Sequence, residues 1–128
     1  MKLSARFSDQ AYALLRIVAG ILFAFHGAQK LFGVLGGHQA ALWSQMGLAG
    51  GIELCGGLAV ALGFGTRVAA FVGSGEMAVA YFQAHWKLQM DSQLFPIVNH
   101  GELALLYCFL FLFVATRGTV KWGLSRKC

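Results

Sequence analysis

Long apolar stretches interrupted by glycines and a few charges set the pattern of this chain. The first runs from about Ala11 to Phe32, the second from about Leu48 to Phe64, the third from about Arg67 to Trp86 and the fourth from about Asn99 to Thr116. Each approaches the roughly 20 apolar residues that carry a helix across a bilayer. Ser8 and Asp9 are candidate N-caps for the first span. Its basic start and apolar Ile17–Phe25 run resemble a signal peptide, but no clean small-x-small cleavage site follows, so we expect it to be retained. Gly63, Gly65 and Thr66 leave room only for a tight antiparallel turn, with Thr66 a candidate cap. Pro96 ends the preceding loop, and Asn99 with Glu102 reads as a capping box.

Two longer connections remain. Residues 33–47 are uncharged apart from His38 and carry Trp43, which suits a headgroup interface, while residues 87–98 hold Lys87, Asp91 and Pro96. Small residues recur every fourth position at Gly47, Gly51, Cys55, Ala59 and Gly63, and again at Gly20, Ala24 and Ala28. Stripes of this kind let helix backbones approach closely in lipid, within one chain or across a homo-oligomer seam.

Composition strengthens the membrane reading. Of 128 residues, 58% are hydrophobic and 12% charged, and the mean hydropathy is +0.66. A soluble domain carries roughly 25% charged residues, so this chain cannot cover its apolar surface in water. An ordinary soluble enzyme, a disordered chain and a nucleic-acid binder are excluded; the expected partner is the lipid bilayer. Lys2, Arg6, Arg67, Arg117, Lys121, Arg126 and Lys127 fall on one side of a four-span topology, against Lys87 on the other. The positive-inside rule then places both termini in the cytoplasm. The expected fold is all-α: one antiparallel four-transmembrane-helix bundle over residues 1–128 in a bacterial or archaeal inner membrane. Cys55, Cys108 and Cys128 form neither a CxxC pair nor a disulfide framework.

Candidate chemistry lies inside the spans. Glu53, Glu76, Glu102, Arg16, His26 and Lys30 all fall there. A mid-bilayer charge costs on the order of 3 kcal/mol, so such residues pair and face the bundle interior. Helix rise places His26, Lys30, Glu53 and Glu102 in one layer roughly 5 to 10 Å below the outer interface, with His85 and His100 just above. This layer is the expected ligand-binding cup; its bland counterpart is a set of bridges pinning helices together. Glu76 near mid-span and Arg16 are the expected buried ion pair. The histidines lack HxxxH or ExxH spacing, so no metal is expected, and Cys55 and Cys108 read as small buried hydrophobes.

The stretches Phe25-His26-Gly27-Ala28-Gln29-Lys30-Leu31-Phe32-Gly33, Gly51-Ile52-Glu53-Leu54-Cys55-Gly56-Gly57, Leu62-Gly63-Phe64-Gly65-Thr66-Arg67, Gly75-Glu76-Met77-Ala78 and Asn99-His100-Gly101-Glu102-Leu103 together resemble the DoxX family of small four-helix membrane proteins. The likeness spans almost the whole chain; only the tail Lys121-Trp122-Gly123-Leu124 departs from the family's tryptophan-serine-leucine ending. One branch of that family is a subunit of an archaeal thiosulfate:quinone oxidoreductase. The resemblance therefore implies a redox-associated subunit facing a quinone, with a soluble redox subunit as partner. No dithiol, haem-ligand pair or flavin motif accompanies it. Two other readings stay open: a small-molecule or proton pathway, and a structural anchor for a soluble redox protein.

Overall fold

A computed structural model describes residues 4–125, with the side chain of Arg6 left out; Lys2, Arg126, Lys127 and Cys128 lie outside the described residues. All regular structure among the described residues is helical. Helix α1 spans Ala5–Phe32, α2 Gln45–Leu62 and α3 Thr66–Ala80, which continues into a π-helical segment, Tyr81–Trp86. A 3-10 turn, Ser92–Leu94, and a short helix α4, Pro96–Asn99, lead into α5, Glu102–Arg117. By length and composition, α1 from Phe7 onward and α2 can each cross a membrane.

The helix ends follow from capping chemistry, and they correct several expectations. Helix α1 begins a turn and a half before Ala11, because Ser4 rather than Ser8 or Asp9 is its N-cap, with its hydroxyl accepting from Phe7 N at 3.4 Å. Asp9 instead accepts from Arg117 Nη2 at 2.9 Å. Ser44 caps α2, accepting from Gly47 N at 3.0 Å. Gly63 and Gly65 take left-handed conformations at φ 71 and 57, which make the α2–α3 turn tight. Thr66 is the first residue of α3 rather than its cap, and its hydroxyl bonds the Thr119 hydroxyl at 2.8 Å. Asn99 and Glu102 form no capping box, since Gly101 is the α5 N-cap; Asn99 Oδ1 accepts from Gly101 N at 2.8 Å.

Helices α1 and α2 meet backbone to backbone. A Cβ on Gly20 would lie 2.6 Å from Gly57 O, and one on Gly57 2.5 Å from Ala24 N. Farther along, a Cβ on Gly27 would lie 2.3 Å from Leu54 N. The contacting stripe on α2 is thus Gly50, Leu54, Gly57 and Ala61, at alternating four- and three-residue spacing. The expected stripe through Gly51 and Cys55 is turned away: nothing lies within 4 Å of a Cβ on Gly51, and Cys55 is exposed. A strict four-residue repeat drifts around a helix of 3.6 residues per turn, whereas alternating three and four stays on one face.

Helix α3 packs on both α2 and α5, and aromatic side chains join α1 to α5. The Phe23 ring stands edge-on to Phe111 at 4.7 Å and near Tyr107 at 5.6 Å. Gly73 on α3 leaves room for this layer. Beyond α5 the chain doubles back under the bundle, with Leu124 N donating to Leu62 O at 2.9 Å and Ser125 N to Gly63 O at 3.0 Å. Both described termini therefore lie at one end, with the α2–α3 turn.

Candidate functional site

At the end opposite the termini, α1, α2, the α3–π segment and α5 enclose a cavity of about 940 Å³. Its walls are apolar over most of their extent, including Phe23, Ile52, Val72, Met77, Leu103 and Ala104. Set into them are Lys30 and His26 from α1, Glu53 from α2, Glu76 from α3, His85 from the π segment and His100 from the turn before α5. Lys30 crosses to α2 beside Gly50, where a Cβ would sit 2.9 Å from Lys30 Cβ. Lys30 Nζ then donates to Glu53 Oε1 at 2.5 Å. Glu53 is 1% exposed, and its Oε2 has no hydrogen-bond partner; neither has the buried Oε2 of Glu76. Glu76 lies within the electrostatic reach of both Glu53 and Lys30.

The remaining polar groups define the rim and one wall. His26 stands edge-on to Tyr107, ring centroids 6.5 Å apart. Gln45 Nε2 donates to Gln83 Oε1 across the α2–π junction. One ring nitrogen of His85 lies 3.3 Å from Asn99 O. The π segment matters here: its wider turn is a feature found often at functional sites, and three of its residues, Gln83, Ala84 and His85, line the cavity.

Three of the four residues expected in the cup, His26, Lys30 and Glu53, come together. Glu102 does not: it is exposed and absent from the cavity wall. The buried stripe of α5 is Ala104, Tyr107, Phe111 and Val114. Glu102 precedes Ala104 by two residues, which rotates it about 200° away from that stripe. There, in the first turn of α5, its carboxylate suits the positive end of the helix dipole.

Arg16 and Glu76, expected as an ion pair, are apart. Arg16 is fully buried and level with the α2–α3 turn: its Nη1 donates to Val60 O and to Ala61 O (2.9 Å), and its Nη2 to Lys121 O and Trp122 O, each at 2.9 Å. Glu76 lies ten residues beyond Thr66 along α3, about 15 Å up the helix. Depth counted along α1 alone hides this, because Arg16 is level with Val60 and Ala61 in the last turn of α2. Glu76 is the site residue that depth arithmetic missed. A signal existed: Val72, Glu76, Val79 and Gln83 share one face of α3 at helical spacing, and all line the cavity. Cys55 is exposed, not a buried hydrophobe, and Cys108 lies beside Ser74, whose hydroxyl donates to Cys108 O at 2.7 Å. Among the described residues no three His, Cys, Asp or Glu side chains gather as a metal site.

The DoxX family model matches residues 11–86, the stretch from α1 to the end of the π segment that holds Arg16, His26, Lys30, Glu53 and Glu76. The chain belongs to the DoxX family. DoxX proteins are membrane proteins, and the exposed apolar faces of α1, α2, α3 and α5 accord with that. An uncharacterized protein of Haemophilus influenzae is 41% identical over 119 residues, covering 90% of this chain and 88% of that relative. No solved structure matches the chain.

Proposed function

We propose that this DoxX protein is a quinone-linked, redox-associated subunit of the inner membrane, holding a lipid-soluble quinone in the cavity between its helices. The single observation that carries the reading is the cavity: apolar walls that suit a ring and its tail, around buried Glu53 and half-buried Lys30 and Glu76. Such pockets, mostly apolar with a few converging polar groups, are where small ligands bind. Lys30 has ammonium hydrogens left for a ligand oxygen after its bond to Glu53, and His26 closes one side. When bound, a quinone supplies two-electron, two-proton redox chemistry. Glu76 lines the cavity, and its buried Oε2 has no hydrogen-bond partner. In this reading electrons come from a soluble partner subunit.

In this reading α1, α2, α3 with its π extension, and α5 span the membrane as an antiparallel bundle. Arg67, Arg117 and Lys121 lie at the terminal end and Lys87 at the cavity end, so the termini are cytoplasmic and the cavity opens outward. Trp43, fully exposed at the cavity end, suits the headgroup belt.

Retention of a long-tailed benzoquinone through gel filtration tests the cavity. A Cβ on Gly75 meets nothing within 4 Å, although Gly75 lines the cavity beside Glu76. Gly75→Phe should therefore fill the space without a backbone clash. Wild-type protein is expected to retain the quinone and Gly75→Phe to lose it; equal retention by both would overturn the reading.

A further inference from the structure

Two contacts frame the run of α2 beside α3 above their tight turn. Near its foot, a Cβ on Gly56 would lie 3.9 Å from Ala69 O; at its head, Gln45 Nε2 donates to Gln83 Oε1. Roughly 15 to 20 Å of helix separates the two contacts, and the cavity lies behind this stretch. Part of its lining there is itself turned outward: Leu48 is 65% exposed, Val79 49% and Val72 44%. Gly75, also on the lining, is exposed, and a Cβ placed on it meets nothing within 4 Å. A residue that lines a cavity and also faces the outside stands on the rim of an opening. This opening is lateral, between α2 and α3.

The chemistry of the rim says what meets it. Residues 45–62 and 68–86 carry no Asp, Glu, Lys or Arg apart from Glu53 and Glu76, which belong to the cavity lining. On either side the exposed Leu58 of α2 and Val68 and Phe71 of α3 continue the same apolar surface. In a membrane protein such a surface meets acyl chains, so the mouth is continuous with lipid. The opposite side of the cavity differs. A hollow of about 410 Å³ between α1 and α5 is lined by Leu22, Phe25 and Gln29. Around α1, His26 separates these from the cavity-lining Phe23 and Lys30, and its ring packs edge-on against Tyr107. Bulky side chains thus wall that side, whereas glycine and valine edge the α2–α3 side.

We infer that the cavity opens sideways into the membrane between α2 and α3, and that a lipid-soluble ligand enters there with its apolar tail left lying in this mouth. The inference rests on the quinone reading, to which it adds the ligand's route and the place of its tail, and it requires no contact with Glu53 or Glu76.

The test uses the full chain in phosphatidylcholine vesicles and a decyl-tailed benzoquinone carrying a diazirine midway along its tail. Light attaches the tail to what it touches, peptide mass spectrometry locates the adduct, and excess unlabelled decyl benzoquinone marks the specific fraction. Specific adducts are expected on Leu48, Ile52, Val72 and Val79. Val79→Trp narrows the mouth from an exposed position and should lower the specific yield about tenfold. Leu22→Trp, at the α1–α5 hollow, should change the yield by less than about twofold. Specific adducts confined to that hollow, to residues 34–43, or to the inner wall at Phe23 and Met77 overturn the inference and leave the cavity reading standing. A yield lowered by Leu22→Trp but not by Val79→Trp does the same. Absence of any specific adduct overturns both. If Val79→Trp does not elute as a single folded species, Leu48→Trp on the facing rim takes its place with the same expected loss.

Discussion

Arg16 and the Lys30–Glu53–Glu76 group both bury charge among apolar helices, at opposite ends of the bundle, yet their surroundings are opposite in character. Arg16 is enclosed by backbone. Val60 and Ala61 present carbonyls from the last turn of α2, where helical donors run out and the dipole is negative; Val60 O also accepts from Gly63 N at 3.3 Å. Lys121 and Trp122 present two more from the returning C-terminal segment. One guanidinium thus ties α1, α2 and the end of the chain together. At the cavity end the partners are side chains, the Lys30–Glu53 bridge is the one ion pair inside the cavity among the described residues, and two buried carboxyl oxygens of lining residues have no hydrogen-bond partner. A buried charge whose terminal nitrogens all meet backbone carbonyls, with only its Nε left bare, holds a fold together. A buried polar cluster with unmet valences beside a cavity is equipped to meet a ligand.

The largest expected effect tests the closed end. Arg16→Ala takes a charged donor from four carbonyls, of which only Val60 O keeps a backbone donor, and each stranded buried group costs about 1 to 3 kcal/mol. The measurement is thermal unfolding in detergent together with folded yield. Arg16→Lys should rescue little, because a compact ammonium cannot span the four carbonyls that the planar fork reaches. Adding Glu76→Gln to Arg16→Ala should give additive losses; partial recovery would restore the ion pair expected from depth and break the comparison.

A smaller effect is expected at the open end. Lys30→Met leaves Glu53 buried and unpaired, and should cost about 1 to 3 kcal/mol, with Lys30's partial exposure keeping the loss below that of Arg16. Combining Lys30→Met with Glu53→Gln should recover part of that stability without recovering quinone retention. If the double variant binds as the wild type does, the bridge is only a helix pin.

The smallest effect belongs to Glu102. Exposed at the start of α5 and outside the cavity, Glu102→Gln should change stability by about 0.5 kcal/mol or less and leave quinone retention unchanged. A clear loss of retention would return Glu102 to the site.

Much of this architecture was legible before any coordinates. The helices, their order and the tight α2–α3 turn follow from apolar run length and from Gly63 and Gly65. The convergence of His26, Lys30 and Glu53 followed from counting residues along helices, because rise per residue is nearly constant. Counting fails for rotation about the axis. It puts Glu102 in the cup although that residue lies outside the face that lines the cavity, and the small-residue stripe on α2 one to two residues away from Gly50, Leu54, Gly57 and Ala61. Counting also gives no level of one helix against another, so it pairs Arg16 with Glu76 although Arg16 lies level with Val60 and Ala61 at the end of α2.

What the amino-acid sequence determined by itself is what depends on neighbours along the chain: helical content, apolar length, the family, and the types of charged residue that had to be buried. Tertiary structure alone decided what each charge meets. Arg16 is satisfied by carbonyls, which every residue carries and no side-chain pattern reveals. Glu76 joins the cavity because α3 packs between α2 and α5 with Val72, Val79 and Gln83 turned the same way. The π-helical widening at Tyr81–Trp86 likewise follows from no apolar period, and it sets Gln83 and His85 at the cavity. Local propensity is read along one dimension, whereas partnership depends on rotation and distance between helices that the chain brings together only by folding.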